Sequence, residues 1–383
     1  MRIMHLADLH LGRSLLEQSL IEDQKYILDE IKDIVQNKDV DVVLIAGDVY
    51  DKAIPSIEAV RLFSDFLTSL YKMNVKVLVI SGNHDSKDRL SFGNELFVDN
   101  GVYIEGIFDG ELKKVTLDDE YGHVNIYMLP FVKQPDVRIH YPNMEINSYQ
   151  EAIECIIRNT DIDKSERNII MVHQFVTASG VEIERSDSET ISLGGVDNVD
   201  VSIFDDFDYV AMGHVHGAQK LLRDTARYAG SPLKYSFSEV FQKKSVPIID
   251  FLEKENISIE LVSLDSLHEM RKIKGKLEQL IDKDVVSEGN PDDYIQAILT
   301  DDDYVMDAIG KLRNVYPNIL RLEYQNARTV SSEGGKNSAS GDISKRSEFE
   351  LFEEFYQNQN HIELDDERIS ILNKVIQEIK DNE

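Results

Sequence analysis

Five short clusters of aspartate, histidine and asparagine each follow directly on an apolar run of the kind that forms a buried strand. The clusters are Asp8-Leu9-His10, Gly47-Asp48-Val49-Tyr50-Asp51, Gly82-Asn83-His84-Asp85, His173-Gln174 and Gly213-His214-Val215-His216. The runs before them, rich in Ile and Val, predict strands over 2–7, 40–46, 75–80, 169–172 and 209–212. Between the first three strands, Ile27, Ile31, Ile34 and Val35, and then Ile57, Val60, Phe63, Leu67, Leu70 and Tyr71, fall at helical spacing. This βαβαβ order predicts a central sheet covered by helices. In open sheets of that class ligands gather at the carboxyl ends of the strands, where all five clusters sit. Further strands are expected over 102–105, 124–129 and 246–251, helices from near Asp88 and Ser148, and a polar surface loop over 177–189.

A chain of 383 residues exceeds what one compact core usually holds. After Ser263 the pattern restarts, with strands predicted over 269–274, 294–299 and 319–322 and helices over 276–281 and 304–315. The expected organisation is therefore a larger domain over 1–263 and a small α/β domain over 264–330. A flexible linker follows over 331–346, rich in Ser, Gly and Asn. In the closing segment, 347–383, Phe349, Phe352 and Tyr356 share one helical face, as do Ile369, Leu372, Ile376 and Ile379.

Taken singly, each cluster has a plain structural reading. Asp-x-His is a common loop hydrogen bond, Asn83-His84-Asp85 suits a turn, and Gly213-His214-Val215-His216 suits a solvated edge strand. Five such clusters at successive strand ends point instead to a shared metal site, and they hold five of the ten histidines. Imidazole, carboxylate and one amide oxygen form a mixed donor set that suits Mn, Fe or Zn better than Mg or Ca. Two divalent ions about 3.5–4 Å apart clamp the attacking and leaving oxygens of a phosphodiester, and a carboxylate between them offsets their repulsion. The single cysteine, Cys155, lies outside every cluster.

The five clusters resemble the signature of the calcineurin-like metallophosphoesterases: D-x-H, GD-x-x-D, GNH-D/E, H and GH-x-H. The extension Asp8-Leu9-His10-Leu11-Gly12 and the segment Gly230-Ser231-Pro232-Leu233-Lys234-Tyr235-Ser236-Phe237-Ser238-Glu239 narrow the resemblance to the nuclease subunits of bacterial SbcCD-type complexes. That resemblance spans nearly the whole chain. It implies an α/β fold: a β-sandwich flanked by helices, a small α/β capping domain and a C-terminal helical docking segment. It also implies two divalent ions per chain, with Mn(2+) expected. Asp8, His10, Asp48 and His216 would hold one ion, and Asp48, Asn83, His173 and His214 the other. His84 is the expected catalyst that binds no metal, with Asp51 orienting its ring. The implied activity is 3′–5′ exonuclease on double-stranded DNA and endonuclease on single strands and hairpins. The implied partners are a second copy, through helices at 57–71 and 88–98, and the coiled-coil ABC-type ATPase SbcC, in a heterotetramer.

Charge sits awkwardly with DNA binding. Lys and Arg number 41 against 71 Asp and Glu, a net charge of −30, whereas nucleic-acid binders normally carry a basic surface. Such acidity reads first as a device for solubility. Positive charge for DNA must then be local, and Arg13, Lys87, Arg89, Arg271, Lys272, Lys274 and Lys276 are the contact candidates. No P-loop is present, so ATP-driven work falls to the partner. The acidic, imidazole-bearing start, the lack of a long apolar run and the lone cysteine predict a cytoplasmic protein without membrane contact. The alternatives are a phosphodiesterase or phosphatase acting on a small molecule or protein, and a scaffold whose metal site is purely structural. Phosphatases of this class usually read GD-x-x-DRG and GNHE, whereas here Lys52-Ala53 follows Asp51 and Asp85 follows His84. Those departures favour a diesterase.

Overall fold

The protein is described by a computed structural model covering residues 1–189 and 197–325. Beyond them it covers helical residues 349, 352, 353, 356, 368, 369, 371, 372, 374 and 375. The linker expected over 331–346 lies outside the described residues, as do Ile376 and Ile379. The chain divides into two compact units, Met1–Glu269 and Met270–Glu383.

Two six-stranded sheets form the first unit. One runs in the order Ile257–Ser263, Ser245–Phe251, Arg2–Leu6, Val42–Ala46, Lys76–Ile80, Val102–Glu105; its last four strands are parallel. The other runs Gln219–Leu221, Arg223–Tyr228, Tyr209–Met212, Arg167–Val172, Gly122–Leu129, Lys113–Asp119. Ile3, Val42, Leu44 and Leu78 of the first sheet meet Ile126, Met128, Ile169 and Met171 of the second in one dry layer. Side chains alternate across a strand, so the remaining positions of each sheet face outward. On the second sheet, Leu129, Ile170 and Val210 pack with Ala152, Ile153 and Ile156 of the helix Tyr149–Arg158. That helix begins at a reciprocal cap: Ser148 accepts from the Glu151 amide, and Glu151 accepts from the Ser148 amide. The helices Ile21–Asn37 and Ile57–Lys72 pack on each other, and the second of them on Lys76–Ile80.

Arg167 ties the two sheets. Its buried guanidinium pairs with Asp119 and donates to the carbonyls of Gly122, Phe251 and Leu252. The expected helix over 88–98 is instead two short turns, Lys87–Leu90 and Asn94–Phe97, broken where Gly93 adopts a left-handed conformation (φ 75°). The edge strands Lys113–Asp119 and Ile257–Ser263 carry no apolar run that would announce them. Half-buried and exposed residues interleave along both, and polar side chains take most of Lys113–Asp119.

In the second unit, Met270–Gly275, Tyr294–Leu299 and Ile319–Tyr324 form a parallel three-stranded sheet. Ile295, Ala297 and Leu299 pack with Leu277, Leu280 and Leu312 from the short helices Leu277–Leu280 and Ala308–Arg313. Among the described residues no helix is long and apolar enough to cross a membrane.

Breaking a buried ion pair leaves the other charge stranded, which costs roughly 3–5 kcal/mol. Arg167→Met is expected to lower unfolding stability by an amount at the lower end of that range, because the N-terminal ammonium still contacts Asp119 at 2.7 Å. Urea unfolding of the variant tests this, and an unchanged midpoint contradicts the clamp.

Candidate metal centre

The five clusters leave the sandwich at one edge, each just beyond its strand: Leu6, Ala46, Ile80, Val172 and Met212 are the last strand residues before them. The loops are locked to one another through the main chain. Asp8 N donates to Gly47 O and His10 N to Asp48 O, while Leu11 forms a parallel bridge with Tyr50. Asp8, His10, Asp48 and His214 all adopt positive φ, between 44° and 94°, a conformation that L-residues rarely take. Strain of this kind persists only where the surroundings enforce it, and it concentrates at functional sites.

Two donor clusters result. In one, His10 Nε2 and His216 Nε2 lie 3.1 Å apart, with Asp8 completing a buried group. In the other, Asn83 Oδ1 stands 3.1 Å from His173 Nε2 and 2.9 Å from His214 Nδ1. Asp48 Oδ2 lies between them, 3.6 Å from His10 Nε2 and 3.4 Å from His173 Nε2. Asp8 and Asp48 also group with His173. All seven expected ligands are thus brought together, and the donor set fits a pair of divalent ions: nitrogen and oxygen lone pairs converge within a buried space. Two glycines permit that approach. A Cβ at Gly82 would fall 2.1 Å from Asp48 Oδ1, and one at Gly47 would fall 2.2 Å from His173 Nδ1.

The far nitrogens of the rings are anchored. His173 Nδ1 donates to Ala46 O at 2.8 Å, which turns Nε2 to the site. His216 Nδ1 lies 2.7 Å from Ser188 Oγ, and that hydroxyl donates to Glu239 Oε1 at 2.6 Å. Lys244, itself buried, donates to Glu239 Oε2 at 2.7 Å and to His216 O at 3.0 Å. Glu239 ends the Ser236-Phe237-Ser238-Glu239 segment, and Ser188 sits in the polar loop expected to border the site. Neither stands out as a functional residue from sequence alone. Burial opposes the Glu239 charge, but His216 and Lys244 outweigh it and hold the carboxyl down to about 2. Asp85 belongs to the third cluster but has no role assigned from sequence; its carboxylate accepts from the amides of Val49, Tyr50 and Gly82, fastening two of the loops.

His84 enters through its amide, which donates to Asp48 Oδ1 at 2.9 Å. Its ring meets Asp51 through the main chain and not through the carboxylate. His84 Nδ1 meets the main-chain carbonyl of Asp51 at 2.9 Å, while the Asp51 carboxylate accepts from Arg13 at 3.0 Å. Arg13 is accordingly turned inward, and it also donates to Ser188 O. Among the other basic candidates, Lys87 pairs with Asp136, Arg271 with Asp293 and Lys276 with Asp302. Arg89, Lys272 and Lys274 are exposed.

Charge in the buried site is set by mutual contact. Burial alone would strip the proton from His173, but Asp48 and other neighbours reverse this and lift the ring to about 9. The same pairing with His173, aided by His10, holds Asp48 ionised well below the usual carboxylate range, against its burial. Burial pushes the Asp8 carboxyl up to about 7, and drives His214 down to about 3. A cation seated here therefore displaces protons, and the competition sharpens as pH falls below 9. Calorimetric Mn(2+) titration in buffers of differing ionisation enthalpy is expected to register release of about one proton or more near pH 7.5, with weaker binding at pH 6.5 than at 8.5. Binding that moves no proton contradicts this charge assignment.

Residues 1–218 match the family described as calcineurin-like phosphoesterase, and residues 266–360 match SbcD_C, described as the type 5 capsule protein repressor C-terminal domain. The SbcD subunit of the SbcCD nuclease of Staphylococcus epidermidis is 33% identical over 362 residues, covering 94% of this chain and 93% of that protein. Its counterpart from Staphylococcus saprophyticus is 33% identical over 329 residues, 85% of each. A crystal structure of a dimetal phosphatase from Danio rerio covers 70% of this chain and 98% of its own at 12% identity, with a TM-score of 0.41, too slight a likeness to argue from.

Proposed function

The chain belongs to the calcineurin-like phosphoesterase family and to its SbcD nuclease branch, and on that premise we propose that it is a metal-dependent DNA nuclease. Its reactions are 3′–5′ exonucleolytic cutting of double strands and endonucleolytic cutting of single strands and hairpins, in DNA replication, recombination and repair. The observation that carries this reading is the pair of donor clusters flanking Asp48, with His84 held beside them. Asp8, His10, Asp48 and His216 would hold one cation and Asp48, Asn83, His173 and His214 the other, Mn(2+) being the proposed metal. When bound, such a pair supplies Lewis-acid stabilisation to the attacking and leaving oxygens of an in-line displacement.

The chain's own residues do the rest. Asp48 keeps its negative charge and would hold a cation together with each donor set. Ala46 O and the Ser188–Glu239 relay fix the rings of His173 and His216 before substrate arrives. His84 is held through Nδ1 by the Asp51 carbonyl, and its role is to stabilise the phosphate or protonate the leaving oxygen. Asp51 thus acts on His84 through its main chain.

The region 264–330 is proposed as a capping domain and 331–346 as a linker. The segment 347–383 would dock on SbcC by laying apolar helix faces against its coil. A homodimer would cover Ile57, Val60, Phe92 and Leu96, apolar residues that are 66%, 44%, 84% and 78% exposed. With most basic candidates paired to acids among the described residues, the isolated chain should bind DNA weakly, Arg89, Lys272 and Lys274 being the exposed candidates. The protein is assigned to the cytoplasm.

His84→Ala is expected to retain both cations while losing about 10²–10⁴-fold in turnover on a DNA hairpin with Mn(2+). Metal stoichiometry and cleavage rate are measured on the same preparation. A variant that binds metal normally and cuts at the wild-type rate removes His84 from the mechanism, and a wild type that cuts no DNA with both cations bound overturns the nuclease reading.

A further inference from the structure

Gly12 turns the chain directly after the first cluster. Its φ is 87°, its amide donates to Gln24 Oε1 at 2.8 Å, and the buried Gln24 in turn donates to His10 O at 2.7 Å. The turn brings Arg13 back against the cluster, where its amide donates to His10 O at 3.0 Å. The Arg13 side chain is only 15% exposed. Nη1 donates to Asp51 Oδ1 at 3.0 Å and Nη2 to Ser188 O at 3.1 Å. The guanidinium lies over the ring of Tyr235, 5.2 Å from its centre, an attraction between cation and aromatic face. Tyr235 is itself buried: its hydroxyl donates to Leu9 O, and its ring stands edge-on to those of His10 and His216, 5.5 and 5.8 Å away.

Each acceptor of that fork supports a ring of the site. Asp51 holds His84 on its main-chain carbonyl. Its Oδ1 also lies 3.6 Å from His10 Nδ1, a buried nitrogen without a hydrogen bond among the described residues. Ser188 holds His216 on its hydroxyl. Among the described residues no hydrogen bond joins Asp51 to Ser188 directly, and the guanidinium spans the two. A planar guanidinium carries its N–H donors in a rigid fork, so it fixes two acceptors at a set separation. A lysine ammonium is a point charge on a flexible stem and cannot reproduce that geometry.

We propose that Arg13 is a positioning residue: it holds Asp51 and the Ser188 stretch in register, and through them sets the rings of His84, His10 and His216 without touching substrate. The assignment rests on the donor clusters being a phosphodiester-cleaving metal centre, and it deepens that reading. Arg13 then leaves the set of DNA contacts, because both arms of its fork are engaged within the chain.

The test uses the full-length chain, and its first part needs no turnover. Metal-free protein isotope-labelled at its histidine nitrogens is expected to show resolved Nδ1–H signals for His84 and His216 by nuclear magnetic resonance. In Arg13→Ala both signals are expected to be lost to exchange with water, while circular dichroism stays that of the wild type. Methylguanidinium, which refills the vacated place, is expected to restore them, and methylammonium is not. In the second part, with Mn(2+) bound, the substrate is bis(para-nitrophenyl) phosphate, a diester with no neighbouring phosphates. Its kcat is expected to fall about 10- to 100-fold in Arg13→Ala, with KM within about twofold, and to recover with methylguanidinium. A DNA-contact role for Arg13 predicts the opposite: DNA cutting falls while the small diester is hydrolysed at the wild-type rate. That result overturns the proposal, as do ring signals that persist in the folded variant. Should Arg13→Ala fail to fold, Arg13→Lys takes its place and is expected to lose the same signals. A wild type that hydrolyses the small diester but cuts no DNA loses the nuclease reading and keeps the role of Arg13.

Discussion

A single carboxylate, Asp48, has to stand within reach of two sets of donors at once, and much of the local architecture serves that demand. Its main chain is in the left-handed region at φ 49°, and its carboxylate faces His10 on one side and His173 on the other. Gly82 must lack a side chain because a Cβ would overlap that carboxylate, and Gly213 because a Cβ would fall 2.0 Å from Ala46 O. Asp85 then fastens the loops after Ala46 and Ile80 through three amides. The two sheets supply the rigidity: their facing strands end at one edge, and the dry layer between them fixes that edge in place.

The electrostatic consequence is a site that is unstable as a set of bare charges. Asp48 stays ionised because His173 takes up a proton, and burial drives Asp8 towards neutrality. Divalent cations would resolve that conflict better than protons do, since they would neutralise both carboxylates and take uncharged imidazoles as ligands. The net charge of −30 is then less of an obstacle to a nucleic-acid substrate. Attraction to phosphate would be concentrated where cations are held, while Lys87, Arg271 and Lys276 pair with nearby acids.

Strands and metal-site residues are legible in the sequence where the physics is local. A fully buried strand needs a continuous apolar run, and a ligand cluster at its end stands out against that run; hence 2–7 and 209–212 lie close to the observed Arg2–Leu6 and Tyr209–Met212. Edge strands half open to solvent leave no such mark, so Lys113–Asp119 carries no strand signal. Gly93 breaks a helix that apolar spacing alone would continue. That Asp51 holds His84 through its carbonyl is hidden, because a carbonyl belongs to every residue alike. Ser188, Glu239 and Lys244 act on His216 from distant parts of the chain, and only folding reveals that they meet.

The most direct measurement is an anomalous difference map from crystals soaked in Mn(2+). The account predicts two peaks per chain, one among Asp8, His10 and His216, the other among Asn83, His173 and His214, with the Asp48 carboxylate contacting both. A single peak, or two of which only one touches Asp48, contradicts it.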